Sequence, residues 1–122
     1  MSRSITPMIH VSDVRQTAQW YERIGFTVSG THDCGNGELD WARLTFGETA
    51  IMLNIGGKPS QAERREVDLY LEVDQVDEAW SRVASIAEVV EPPHDTEYGM
   101  REFIVRDLNG FWITFGQQAK QV

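Results

Sequence analysis

YGMREFIVRDLNGFWITF, residues 98–115, reads as two β-strands folded back on each other. Asn109-Gly110 lies between them, and both residues tolerate positive φ, so the pair predicts a tight hairpin turn. Phe103 and Val105 before the turn, with Phe111, Ile113 and Phe115 after it, form a packing row. Arg101, Trp112 and Thr114 are assigned to the alternate positions. One face of the hairpin is built to pack and the other to display.

Working outward, the same plan occurs twice. Upstream of the hairpin, Val67 to Val73 alternates as a strand. Asp74 is the expected cap of a helix carrying Val76, Ala79, Trp80, Val83 and Ala87, and a further strand is expected near Glu88 to Glu91. In the first half, Ile5 to Val11 is a strand and Ser12-Asp13 a helix cap. Val14, Ala18, Tyr21 and Ile24 recur at helical spacing until Gly25 stops the helix. Phe26 to Thr31, Leu39 to Phe46 and Ala50 to Ile55 follow as strands. Equivalent points keep one offset, Val11 with Val73 and Val14 with Val76, both 62 apart (73 − 11, 76 − 14). The predicted fold class is α+β: two βαβββ modules, about 5–55 and 67–117, within a single domain spanning 1–122. They form a curved mixed sheet with an open cleft and helices outside. GGKPSQAERRE, residues 56–66, is the connector.

Composition narrows the function classes. Of 122 residues, 41% are hydrophobic and 25% charged, as in ordinary globular proteins, and no apolar run reaches the ~20 residues that span a bilayer. MSRSITPMIH at the start has no apolar signal core, and a single cysteine forms no internal disulfide, so a cytoplasmic protein is expected. The net charge of −8 and pI near 4.7 disfavour a nucleic-acid partner, which needs clustered Lys and Arg, and could steer a cationic ligand.

Strand parity predicts the lining of the cleft. Ile5, Ile9, Val11, Ile51, Leu53, Ile55, Leu69, Leu71, Val73, Phe111, Ile113 and Phe115 go under the helices. Thr6, Met8, His10, Ala50, Met52, Asn54, Asp68, Tyr70, Glu72, Trp112 and Thr114 take the other face. That second set mixes aromatic, sulfur, hydroxyl and charged groups, which suits a small organic molecule; a solvated surface or a dimer contact would look the same. Trp41, Tyr70, Tyr98 and Trp112 add flat surfaces for stacking, whereas Trp80 falls in a helical apolar stripe. His10 is the candidate proton carrier, because Asp68 and Glu72 share the expected cleft. His32 and Cys34 lie two apart without a second pair, which is weak evidence for zinc. Gly35-Asn36-Gly37 reads as a turn rather than a phosphate cradle.

The run from Tyr98 to Asp107, aromatic-Gly-x-Arg-Glu-Phe followed by Arg-Asp, also resembles the closing segment of a known superfamily. It is similar to the glyoxalase, bleomycin resistance and extradiol dioxygenase superfamily, the vicinal-oxygen-chelate fold, in its bleomycin-resistance-like branch. Leu108-Asn109 stands where that branch usually has Pro-Asp. The resemblance assigns Arg106 and Asp107 to fixing the hairpin. It implies a homodimer with clefts formed between modules. It also implies metal-ligand positions on the first and last strands of each module, which fall here at Thr6, Met52, Asp68 and Thr114. Asp68 alone is a credible ligand, so no metal and no cofactor are expected.

The resulting expectation is a metal-independent binder of a small organic ligand, planar and preferably cationic, such as an antibiotic. Its proposed contacts are His10, Trp41, Met52, Asp68, Tyr70, Arg101 and Trp112. A divergent lyase, isomerase or dioxygenase-type enzyme, or a regulatory or structural dimer, is the alternative.

Overall fold

The computed structural model describes residues 2–58 and 64–119, so the middle of the expected connector, residues 59–63, lies outside the described residues. The chain divides into two compact units, Met1–Pro59 and Ser60–Val122. Each unit has the βαβββ order. The first holds β1 (Met8–Val11), α1 (Val14–Arg23), β2 (Thr27–Asp33), β3 (Leu39–Phe46) and β4 (Thr49–Ile55), with sheet order β1-β4-β3-β2. The second holds β5 (Asp68–Glu72), α2 (Val76–Val83), β6 (Glu88–Asp95), β7 (Met100–Arg106) and β8 (Trp112–Gln118), in order β5-β8-β7-β6. In each, the strand before the helix lies parallel to the last strand and the other pairings are antiparallel.

The offset of 62 extends to the ladders. Met8 faces Met52 across β1 and β4, and Tyr70 faces Thr114 across β5 and β8, each pair 62 positions on from the other (70 − 8, 114 − 52). Parity survives with it. Ile9, Val11, Ala42, Leu44, Ile51 and Leu53 are buried with Val14, Ala18 and Tyr21 of α1. Leu71, Phe103, Val105, Ile113 and Phe115 are buried with Val76 and Val83 of α2, where Trp80 meets Phe103 edge-on at 5.2 Å and Phe103 stacks on Phe115 at 4.7 Å.

Several local expectations are corrected. β1 begins at Met8 rather than Ile5, because Pro7 has no N–H for a ladder and serves only through its carbonyl, which accepts from Met52 N at 2.8 Å. Thr6 therefore precedes the strand, and Ile5 is 93% exposed instead of lying under α1. Ile55, at the β4 end, is also exposed. The helix caps differ in kind. Asp13 is extended and its Oδ1 accepts from Gln16 N at 2.9 Å, as expected for α1. For α2 the cap position is Gln75, not Asp74, and Gln75 makes no side-chain cap bond. Gln117 of β8 supplies the missing acceptor, its Oε1 receiving Val76 N–H. α2 also ends at Val83, leaving Ala87 beyond it.

The β7–β8 turn is longer than a two-residue Asn-Gly turn. Asp107 N donates to Phe111 O at 2.9 Å, enclosing Leu108, Asn109 and Gly110, and only Gly110 of these has positive φ, at 87°. This is a three-residue loop closed by a left-handed glycine. Asp107 Oδ1 accepts from both Asn109 N and Phe111 N at 2.8 Å while the residue is buried, which is the hairpin-fixing role expected of it. β6 runs to Asp95, past the Glu91 expected from sequence, and tolerates Pro92 and Pro93 because it is an edge strand with irregular register.

Candidate functional site

The first unit's sheet face away from α1 carries His10, Asn54, Trp41 and His32 in one cross-strand row. Trp41 lies against Gly30, where a Cβ would stand 3.2 Å from the indole ring. The missing side chain is what lets the ring rest on the strand. His10 Nδ1 is 3.2 Å from Ile55 O, and Gly57 backs so closely on the end of β1 that a Cβ would meet His10 O at 2.3 Å. Met52 is half-buried and faces Met8 on one side and Arg43 on the other. His10, Trp41 and Met52 thus share a face, as expected. His32 turns to Asp40, Nδ1 to Oδ1 at 2.7 Å, while Cys34 Sγ donates to Glu38 O. A separate hollow of about 210 Å³ opens at the start of α1 between Asp13, Arg15, Glu38 and Ile55, and none of the expected site residues lines it.

The second unit's open face is more specialised. Asp68, Trp112, Arg106 and Glu88 form one cross-strand row, and Tyr70, Thr114, Ile104 and Glu91 the next. Over the first row lies Arg64. Its guanidinium carbon is 4.2 Å from the centroid of a Trp112 ring, its Nε donates to Asp68 Oδ1 at 3.3 Å, and its Nη2 donates to Asp68 Oδ2. A planar cation is held by a flat ring below and a two-pronged carboxylate at its edge. Arg65 does something different nearby, covering Phe111 at 4.6 Å and donating to Asn109 O at 3.1 Å.

Beside this stands a carboxylate shared by two phenols. Tyr70 Oη donates to Glu102 Oε2 at 2.7 Å and Tyr98 Oη donates to Glu102 Oε1 at 2.6 Å, with Glu102 only 4% exposed. Burying a carboxylate is tolerable because both oxygens are satisfied. Desolvation, then the bond to Glu102, pushes the Tyr70 phenol well above its ordinary range; for Tyr98 the Glu102 bond is the leading cause of a rise. Tyr70 reaches Glu102 across Gly116, whose missing Cβ would otherwise lie 2.0 Å from the Tyr70 hydroxyl oxygen.

Arg101 is the expected contact that the structure moves. It shares parity with the buried Phe103 and Val105, so it lies on the α2 side, bonded to Asp77 of α2 and to Asp95, each at 3.2 Å. Period-two alternation places 101, 103 and 105 together, and grouping Arg101 with Trp112 overlooked it. Asp68, Tyr70 and Trp112 do share the open face. Glu102, Gly116 and Arg64 are absent from the expected set. Glu102 was legible as the alternate of Phe103 within the Arg-Glu-Phe run, whereas Arg64 sits in a segment whose composition signals only a connector.

The resemblance's metal positions do not supply a fitting donor set. Met52 offers a thioether and Thr114 a neutral hydroxyl, Thr6 precedes β1, and both Asp68 oxygens are bonded to Arg64. Among the described residues, no group of three or more His, Cys, Asp or Glu is arranged to hold a metal ion.

Comparison with known proteins gives a consistent picture. Residues 5–115 match the family described as the Glyoxalase/Bleomycin resistance protein/Dioxygenase superfamily. The fold is similar to that of TioX from Micromonospora sp. ML1, with TM-score 0.79, 24% identity, and 96% of this chain and 99% of that chain covered. A bleomycin-binding protein complexed with bleomycin aligns with TM-score 0.73 and 20% identity over 96% of this chain and 99% of that chain. The bleomycin resistance determinant encoded on transposon Tn5 aligns with TM-score 0.72 and 20% identity over 96% and 98%. No curated protein matches the chain. No helix among the described residues is long and apolar enough to cross a membrane.

Proposed function

The chain belongs to the glyoxalase, bleomycin resistance protein and dioxygenase superfamily, and within it we propose a small-molecule binding protein that sequesters planar cationic compounds of the antibiotic type without transforming them. The observation that carries this reading is the seat of Arg64. A planar cation rests on Trp112 and is gripped by Asp68, so this face already displays the chemistry that would hold an external one. Around it, Glu72 acts on Tyr70 and Glu91 on Tyr98 through their charge, and the chain's net charge of −8 favours approach of a positive ligand. A ligand-binding relative of the same fold, the bleomycin-binding protein, supports the class of function and not the identity of the ligand.

Tyr70, half exposed beside its bond to Glu102, would extend the stacking surface beyond Trp112. His10, Trp41 and Met52 remain proposed ligand contacts on the first unit's own open face. A homodimer is part of the reading, supported by outward apolar side chains at the β1 edge, Ile5 at 93% and Met8 at 53% exposed. Calorimetric titration with matched cationic, neutral and anionic planar aromatics tests the proposal. The cationic member should bind best and lose most of its affinity in Asp68→Asn; preference for the neutral or anionic member would reject the charge selection.

A further inference from the structure

Arg64 occupies the very surface that the proposed function assigns to a ligand. Its guanidinium covers Trp112 at 4.2 Å and engages both oxygens of Asp68, four residues on in the chain. The arrangement is well made in its geometry and weak in its setting. The Arg64 and Asp68 side chains are 53% and 33% exposed, so water competes for the charges. Exposed ion pairs of this spacing contribute little to stability. The contact is therefore easily exchanged for an equivalent one.

We propose that Arg64 is an internal surrogate ligand: the Asp68–Trp112 pair is a recognition site for aryl-guanidinium or aryl-amidinium groups, and an external group of that class binds by displacing the Arg64 side chain. The chemical class follows from the occupant. A guanidinium or amidinium is planar, delocalised and able to give two parallel N–H bonds to one carboxylate, whereas a lone ammonium offers a point charge. An aryl group attached to it adds stacking area on Trp112 that the aliphatic stem of arginine lacks. The internal occupant also sets selectivity. Ligands that cannot match both the stack and the two-pronged bond do not displace it, and the site is shielded from weak or merely charged competitors. Apparent affinity is reduced by the fraction of molecules in which Arg64 is seated.

This inference rests on the proposed binding function, and the test separates the two. Benzamidinium is titrated calorimetrically into the wild-type protein, Arg64→Gln, Arg65→Gln and Trp112→Ala. Arg65→Gln removes the same charge one residue away, where the side chain covers Phe111 instead of Trp112. Arg64→Gln should tighten benzamidinium binding at least about threefold beyond any effect of Arg65→Gln. Trp112→Ala should weaken it at least about tenfold. In parallel, the Arg64 Nε–H resonance, displaced by the indole ring current, should move to an ordinary arginine position as benzamidinium saturates the wild-type protein. Equal affinities in the two arginine variants, weaker binding in Arg64→Gln, or an Arg64 resonance that stays in place at saturation would overturn the surrogate while leaving the binding site standing. Affinity unchanged by Trp112→Ala, or no binding by any form, would overturn both.

Discussion

Gly116 and Tyr70 depend on each other: the tyrosine crosses β8 over the glycine to reach Glu102, and a Cβ at 116 would stand 2.0 Å from the Tyr70 hydroxyl oxygen. Trp41 lies on Gly30 in the first unit in a similar way, 3.2 Å from a notional Cβ. In both sheets a strand glycine has been given up to an aromatic ring on the open face, at a cost in strand stability that packing alone does not require.

The first prediction follows directly. Gly116→Ala should expel the Tyr70 ring from Glu102 without disturbing the backbone, because the obstructed atoms belong to the end of a half-exposed side chain. Stability should fall by about 2 kcal/mol, the ordinary contribution of a hydrogen bond to a charged group. In a Tyr70→Phe background the same substitution should cost clearly less. Urea unfolding of the four proteins checks it, and an equal cost in both backgrounds would contradict the coupling.

A second prediction concerns alkaline pH. The Tyr70 phenol titrates near 10.0 when unperturbed and higher in the folded chain, so between those values the folded state holds a proton that the unfolded state has lost. Its contribution to stability is complete below pH 10 and is lost as pH rises toward the folded value. Stability measured from pH 9 upward should therefore decline more steeply in the wild-type protein than in Tyr70→Phe, and parallel declines would remove Tyr70 as a cause. Tyr98 shifts in the same direction through the same carboxylate, so Tyr98→Phe should also reduce the slope.

Capping supplies the third. Gln117 on β8 accepts the Val76 N–H at the start of α2, a task that Asp13 performs locally for α1. Gln117→Ala should destabilise the protein by about 1 kcal/mol, similar to Asp13→Ala, despite lying 41 residues from the helix it caps. Denaturant unfolding showing no loss for Gln117→Ala would mean that solvent caps α2 equally well.

How much of this could be read in advance depended on the range of the interaction. The helix start at Val14, the existence of α2, the parity of Ile9, Leu53, Leu71 and Ile113, and the hairpin around Gly110 all rest on periodicity or local backbone chemistry, and they were legible, whereas the cap of α2 was expected one residue early. Arg101 was misassigned although its parity with Phe103 was visible. Gln117 as a cap, the Tyr70 bond to Glu102 and Gly116 as a bed for Tyr70 each join residues 32 to 46 positions apart, and no spacing rule announces them. Arg64 illustrates a different limit. Only four positions separate it from Asp68, but its role depends on Trp112 of another strand.

The most direct test of the account compares Trp112→Ala with Trp80→Ala at matched stability. Trp112 lies on the open face of the second sheet under Arg64, whereas Trp80 packs on Phe103 between helix and sheet. With each protein measured well below its unfolding transition, calorimetric affinity for a planar cationic aromatic should drop at least about tenfold in Trp112→Ala, in line with the loss of a stacking and cation–π surface of roughly 1.5 kcal/mol. It should stay near the wild-type value in Trp80→Ala. An affinity unchanged by Trp112→Ala would contradict the central claim that this face holds the ligand.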